Sequence, residues 1–228
     1  MRLLGLALAL LPAAGMSIAV SPAQPRATDV FTIVRPAHAS GTIALHAWPG
    51  GPVRLRLHQT AFGSPLAFNV ARVRGSWLGV RSDALPNGRL GWIDGRRSAL
   101  RTLTTRLWLD VDLSARELVL RRGAEAVRRM TVAVGRAGSP TPTGTFAVTD
   151  KLAASTIGTA YGCCILALTG HQTRLPAGWK GGDRIAIHGG DESTIGLAVS
   201  AGCLHAHSGD LRELMRILPL GTPVVIRA

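Results

Sequence analysis

Past its first two dozen residues the chain contains no apolar run long enough to cross a bilayer, which takes about 20 residues, so no later membrane span is expected. It has no internal repeat and no low-complexity tract, which excludes a solenoid or a fibrous array. Acidic residues are scarce, 13 against 26 lysines and arginines, for a formal charge of +13. The basic residues are nonetheless scattered among apolar ones and form no block of the kind that binds nucleic acid, so no nucleic-acid partner is expected. Cysteine is sparse too, and an odd total of three leaves one thiol unpaired whatever bonds form.

What the chain does have is apolar side chain. At 228 residues and 46% hydrophobic content it can bury a core in one or two domains. Its first residues read as an export signal: Arg2 supplies the positive end, residues 3–11 a short apolar run, and small residues continue to Ala23. Two stretches fit a cleavage site, one ending at Ala19 and one at Ala23, and the second is preferred; an uncleaved anchor is the alternative. The expected division is a signal peptide at 1–23 and a linker at 24–40, the latter containing Pro, Ala and Thr without clear periodicity. An exported protein of this charge meets anionic cell-wall polymers, to which it is drawn at long range until salt screens it; alternatively the charge serves solubility alone.

Between residues 41 and 100, short alternating runs at 42–48, 53–57, 66–73 and 77–80 are separated by turn signals such as Pro49-Gly50-Gly51-Pro52 and Pro86-Asn87-Gly88. About five short strands with tight turns describe a small barrel. The Trp48 to Gly51 turn, the Gly75, Ser76, Trp77 group and the Gly91, Trp92 pair resemble bacterial SH3-like domains, which implies a wall-binding or spacing module.

A second unit, 106–228, opens on Leu107, Leu109, Val111 and Leu113 alternating with Trp108, Asp110 and Asp112, as in a half-buried strand. The stiff turn at residues 139–144 carries two prolines and cannot be helix or central strand. One helix is expected at 210–218, with Leu211, Leu214, Met215 and Leu218 on one face and Asp210 and Glu213 as a capping pair. The fold class is therefore mainly β with one short helix, and chemistry should sit on loops.

Ile185, Ala186 and Ile187 read as a strand delivering His188 to its end, where Gly189 and Gly190 allow a sharp turn. Fifteen positions on come Ser200, Ala201, Gly202 and Cys203. A free thiol with a pKa near 8.5 needs a neighbouring base, which His188 can be. Gly202, lacking a side chain, would admit a substrate carbonyl, and amides around Gly202 and Cys203 would face a developing oxyanion. Cys163 and Cys164 are adjacent, could join only through a strained ring, and are read as small buried hydrophobes.

The ordered run Ile187, His188, Gly189, then Ile195, Gly196, then Ser200, Gly202, Cys203, then Asp210 and 221–226, resembles the catalytic segment of L,D-transpeptidases of the YkuD type, and Asp112, Ser114, Gly135 and the 140–144 turn extend the resemblance upstream to about Arg106. The resemblance implies an L,D-transpeptidase-type β-sandwich. It also implies that Cys203 is the acyl-forming nucleophile, that His188 is the general base held through its other nitrogen by the Gly189 carbonyl, and that Ser200 supports the loop. The implied substrates are peptidoglycan stem peptides, attacked before a terminal D-alanine, with carbapenem-type β-lactams as acylating inhibitors and no cofactor.

Three positions depart from the family pattern: Ala201 stands where a histidine is usual, His205 where an arginine is usual, and Ser208 where asparagine is common. They bear on substrate preference, since the charge of His205 near neutral pH depends on its surroundings. Within the same chemistry an L,D-carboxypeptidase would hand the acyl group to water. A non-catalytic wall-binding protein is the reading from another class. Cys203, His205, His207 and His188 include ligand types suited to zinc, but the glycine before the cysteine favours a nucleophile, and no metal is expected.

Overall fold

A computed structural model describes residues 30–96, 99–153, 155 and 158–228. The expected signal peptide and the start of the expected linker lie outside the described residues. The N-terminal strands are β1 (Phe31–Pro36), β2 (Ile43–His46), β3 (Val53–Leu57), β4 (Phe68–Arg74), β5 (Trp77–Val80), β6 (Gly91–Asp94) and β7 (Leu100–Thr105). They form one antiparallel sheet in the order β3-β2-β6-β5-β4-β1-β7. Val34, Leu45, Phe68, Val80 and Ile93 fill its core. Of the turn-flanking tryptophans, Trp92 is buried while Trp48 stands 59% exposed.

β1 corrects the linker expected at 24–40 over residues 31–36. Phe31, Ile33 and Val34 favour a pleated strand, and β1 pairs along its whole length with β7. Its alternate faces have different partners. Val34 points into the N-terminal core, whereas a side chain added at Gly221, near the end of the chain, would meet Ile33 Cγ2 at 2.7 Å. Ile33 is fully buried. The prolines and alanines around this strand obscure its period in the sequence.

The remaining strands are β8 (Leu107–Asp112), β9 (Glu117–Arg122), β10 (Glu125–Thr131), β11 (Val134–Gly135), β12 (Gly144–Ala153), β13 (Cys164–His171), β14 (Arg184–His188), β15 (Ala198–Ser200), β16 (Leu204–His205) and β17 (Pro223–Arg227). Eight of them make a curled sheet in the order β10-β9-β8-β17-β12-β13-β14-β16, and β11 pairs with β15. Among the described residues there is one α-helix, α1 (Ser208–Ile217), which buries Leu211 and Leu214. The fold is thus mainly β with one short helix, as the periodicities indicate. The capping pair does not form: Asp210 joins Arg128 at 2.6 Å, Glu213 joins Arg216, and the Ser208 amide is capped by Glu192 Oε1 at 2.8 Å.

The two sheets share polar contacts shielded from water. Asp83 of the N-terminal part pairs with Arg184 at 2.8 Å, both side chains largely buried. Thr60 hydrogen-bonds the carboxylate of Asp150, which is fully buried. Asn87 donates to the His171 carbonyl at 2.7 Å and accepts from its amide at 2.8 Å.

Because Ile33 is packed between the sheets, Ile33→Ala should lower unfolding stability by about 2–4 kcal/mol through lost burial and an unfilled cavity. Urea unfolding measures this; a change within about 0.5 kcal/mol, the usual size for an exposed site, would return residues 31–36 to the status of linker.

Candidate active site

β14 and β16 run parallel, with Ile187 opposite Leu204 and His188 opposite His205. This register brings the end of one strand and the Ser200–Cys203 loop to a single cavity of about 580 Å³, lined by His188, Ser200, Ala201, Cys203 and His205 among others. His188 is 7% exposed. Its Nδ1 lies 2.6 Å from the Gly189 carbonyl oxygen. A carbonyl can only accept, so Nδ1 carries the hydrogen and Nε2 is left as the basic nitrogen. Tyr161 stands edge-on to the His188 ring at 4.9 Å, and the His205 ring lies 4.5 Å away.

Burial pushes the His188 pKa down from 6.5 to about 4, and the neighbouring His205 adds to that, while the bond to Gly189 pulls the other way. Burial likewise raises the Cys203 thiol above its ordinary value, opposed by a hydrogen bond from the Ala186 amide. Both groups are therefore neutral at rest. The thiol directs its hydrogen to the Arg184 carbonyl at 3.9 Å, and among the described residues no hydrogen bond joins it to His188. Their shared cavity places thiol and imidazole on one surface, with no ion pair formed in advance.

The loop between β15 and β16 is held from two sides. Ser200 Oγ donates to the Cys203 carbonyl at 2.6 Å and accepts from the Gly202 amide at 3.0 Å. The Gly202 amide is thereby occupied, which corrects its expected place as an oxyanion donor; the Cys203 amide has no partner among the described residues. Gln172, 5% exposed, donates through Nε2 to both the Pro140 and Ala201 carbonyls at 3.0 Å. Gly202 has φ +120°, and a side chain there would run into the Gln172 amide, so close packing demands this glycine.

Several lining residues carry no sequence signal for the site. Gln172 merely follows a strand, and Arg136 lines the cavity with a guanidinium that has no acidic partner among the described residues. Phe62, from the N-terminal part, reaches the same cavity beneath the Arg184 guanidinium, 5.6 Å from its ring centroid. His207 turns away to Glu192, 3.1 Å from Oε2, and so leaves the set of ligand types weighed for zinc.

Cys163 and Cys164, read as small buried hydrophobes, are joined in a disulfide. Cys164 does stand in the core, so the burial was legible and the bond was not. Cys203 is the free cysteine. The disulfide borders Gly162, where an added side chain would meet the Gly189 and Gly190 backbone at 2.6–2.9 Å; this segment therefore packs on the turn that follows His188.

Comparison with known proteins covers the part of the chain that carries His188 and Cys203. Residues 106–226 match the family described as the L,D-transpeptidase catalytic domain, YkuD. The proteins named "Putative L,D-transpeptidase YkuD" in Bacillus subtilis and Bacillus licheniformis are 31% and 32% identical over 117 residues. Those matches cover 51% of this chain and 63% and 62% of theirs, so the chain spans slightly under two thirds of the length of these relatives. L,D-transpeptidase 3 of Mycobacterium tuberculosis, solved with a faropenem-derived adduct, aligns at a TM-score of 0.47 and 14% identity over 89% of this chain and 82% of its own.

The depressed pKa of His188 has a measurable consequence for folding. Its folded value lies below its free value, so the unfolded chain takes up the proton first and stability falls as pH drops from about 6.5 toward 4. The full loss is about 3 kcal/mol. Urea midpoints between pH 7 and pH 4 should show this slope in the wild type and lose most of it in His188→Gln; identical slopes would mean the imidazole is not desolvated.

Proposed function

The chain belongs to the L,D-transpeptidase family, whose members are cysteine-dependent enzymes, and from that premise we propose that it is an exported peptidoglycan L,D-transpeptidase with Cys203 as nucleophile and His188 as general base. The observation that carries the reading is the tethered imidazole: Nδ1 is fixed on the Gly189 carbonyl, and neutral Nε2 is left for the thiol in a cavity both share. The division of the chain near residue 106, with an SH3-like module before it, belongs to the same proposal.

In the first half-reaction Cys203 Sγ attacks the stem-peptide carbonyl before the terminal D-alanine while its proton passes to His188 Nε2. The proton then goes to the departing amine of D-alanine, and a thioester remains. An amine of a second stem attacks that thioester, gives its proton to His188 and restores the thiol, so atoms and charge balance over the cycle. With both groups neutral at rest, thiol deprotonation accompanies attack and does not precede it. The Cys203 amide faces the oxyanion, a type of contact worth about 3 kcal/mol in the transition state. Arg136, which lines the same cavity, supplies a positive charge to the donor's carboxylate in place of the arginine that the family usually has where this chain has His205. His205, lowered by burial, stays neutral.

Mass spectrometry after exposure to a carbapenem should show one covalent adduct on the wild type and none on Cys203→Ala. No adduct, or one that survives the substitution, overturns the assignment. The acid limb of the acylation rate should fall near pH 4, where His188 titrates, and not near 6.5. Incubation with disaccharide-tetrapeptide should give cross-linked dimer; tripeptide and free D-alanine without dimer would make the enzyme an L,D-carboxypeptidase.

A further inference from the structure

A second cavity, of about 250 Å³, lies between the N-terminal and catalytic sheets and shares no lining residue with the one that holds Cys203. Arg72, Arg81 and Arg89 line it, together with Thr145 and Thr169 from the catalytic side, and no carboxylate does. Arg81 Nε donates to the Thr145 carbonyl at 2.9 Å and Nη1 to Asn69 Oδ1 at 2.6 Å. Both acceptors are neutral, and Nη2 has no partner among the described residues. Asn69 is itself 2% exposed, with an Nδ2 donor that finds no partner.

Charge around the cleft deepens the imbalance. Residues 30–105 hold ten arginines against two aspartates. The nearer aspartate, Asp83, is already committed to Arg184 at 2.8 Å, and Asp94 pairs with Arg96. Arg72 and Arg89 are exposed and make no ion pair among the described residues. Burial lowers the Arg81 pKa to about 10, with nothing of opposite charge to offset it. A cation withdrawn from water is costly unless an opposite charge meets it; Arg81 is so withdrawn, and two further guanidiniums line the same polar cleft.

We propose that this cleft binds a phosphate group, with Arg81 on its inner wall and Arg72 and Arg89 at its mouth. A tetrahedral phosphate accepts bonds from several sides and suits the planar guanidinium fork; the two forks of Arg72 and Arg89 with the remaining Arg81 Nη2 exceed what the two oxygens of one carboxylate can receive. The volume leaves room for the group that a phosphate ester carries. Since both sheets line the cleft, the ligand would also brace their junction. The site does not depend on the transpeptidase reading.

Titration calorimetry on the full chain, at fixed ionic strength in chloride, tests this with inorganic phosphate and, separately, with a short poly(glycerol phosphate). One saturable site is expected, weakened at least ten-fold in Arg72→Gln/Arg89→Gln, whose thermal midpoint without ligand should match the wild type. Tighter binding of the polymer than of the free ion at equal phosphate assigns an esterified source, and equal binding assigns the ion; either supports the site. Absence of saturable binding, equal binding in the double variant, or acetate binding as tightly as phosphate would each overturn it.

Discussion

Arg184 holds the two halves of the molecule and the thiol in one arrangement. Its guanidinium meets Asp83 from the N-terminal sheet at 2.8 Å, the Leu168 carbonyl from β13 and Thr149 Oγ1 from β12 at 2.9 Å. Its own carbonyl receives the Cys203 thiol. A largely buried ion pair of this kind adds little net stability, because desolvating both charges offsets their attraction. Breaking it is another matter, since either charge left alone would be stranded away from water. The pair therefore ties Arg184, which lines the active cavity, to the N-terminal sheet.

That tie explains why the cavity has walls from both parts of the chain. Phe62 comes from the loop between β3 and β4, Tyr161 from the turn after β12, and Gln172 from the end of β13. None touches the reaction by chemical type, yet together they set how dry the site is. Dryness governs the electrostatics, driving His188 down and Cys203 up from their ordinary values. A wetter site would bring both groups closer to their free values.

The sequence was most informative where a residue must be of one kind. His188, Gly189, Ser200, Gly202 and Cys203 form an ordered pattern, and of these His188, Ser200 and Cys203 line one cavity beside the paired β14 and β16. The reason for Gly202 was not visible, because it is the distant Gln172 that excludes a side chain there. Long-range contacts of this sort leave no local signature. The same holds for Arg184, an unremarkable residue in the chain, and for β1, whose apolar side chains have separate partners on its two faces. The vicinal disulfide is hard to read for a different reason: adjacency implies a strained ring, and strain argues against the bond.

The contact of Ile33 with Gly221 joins the first described strand to the turn just before the last. A module tethered by a slack linker can bind a surface while its neighbour tumbles and searches. Here the pairing of β1 with β7 and the packing of Ile33 remove that slack. Any polymer gripped by the N-terminal face would consequently set the bearing of the catalytic mouth, so that attachment and aim become one event.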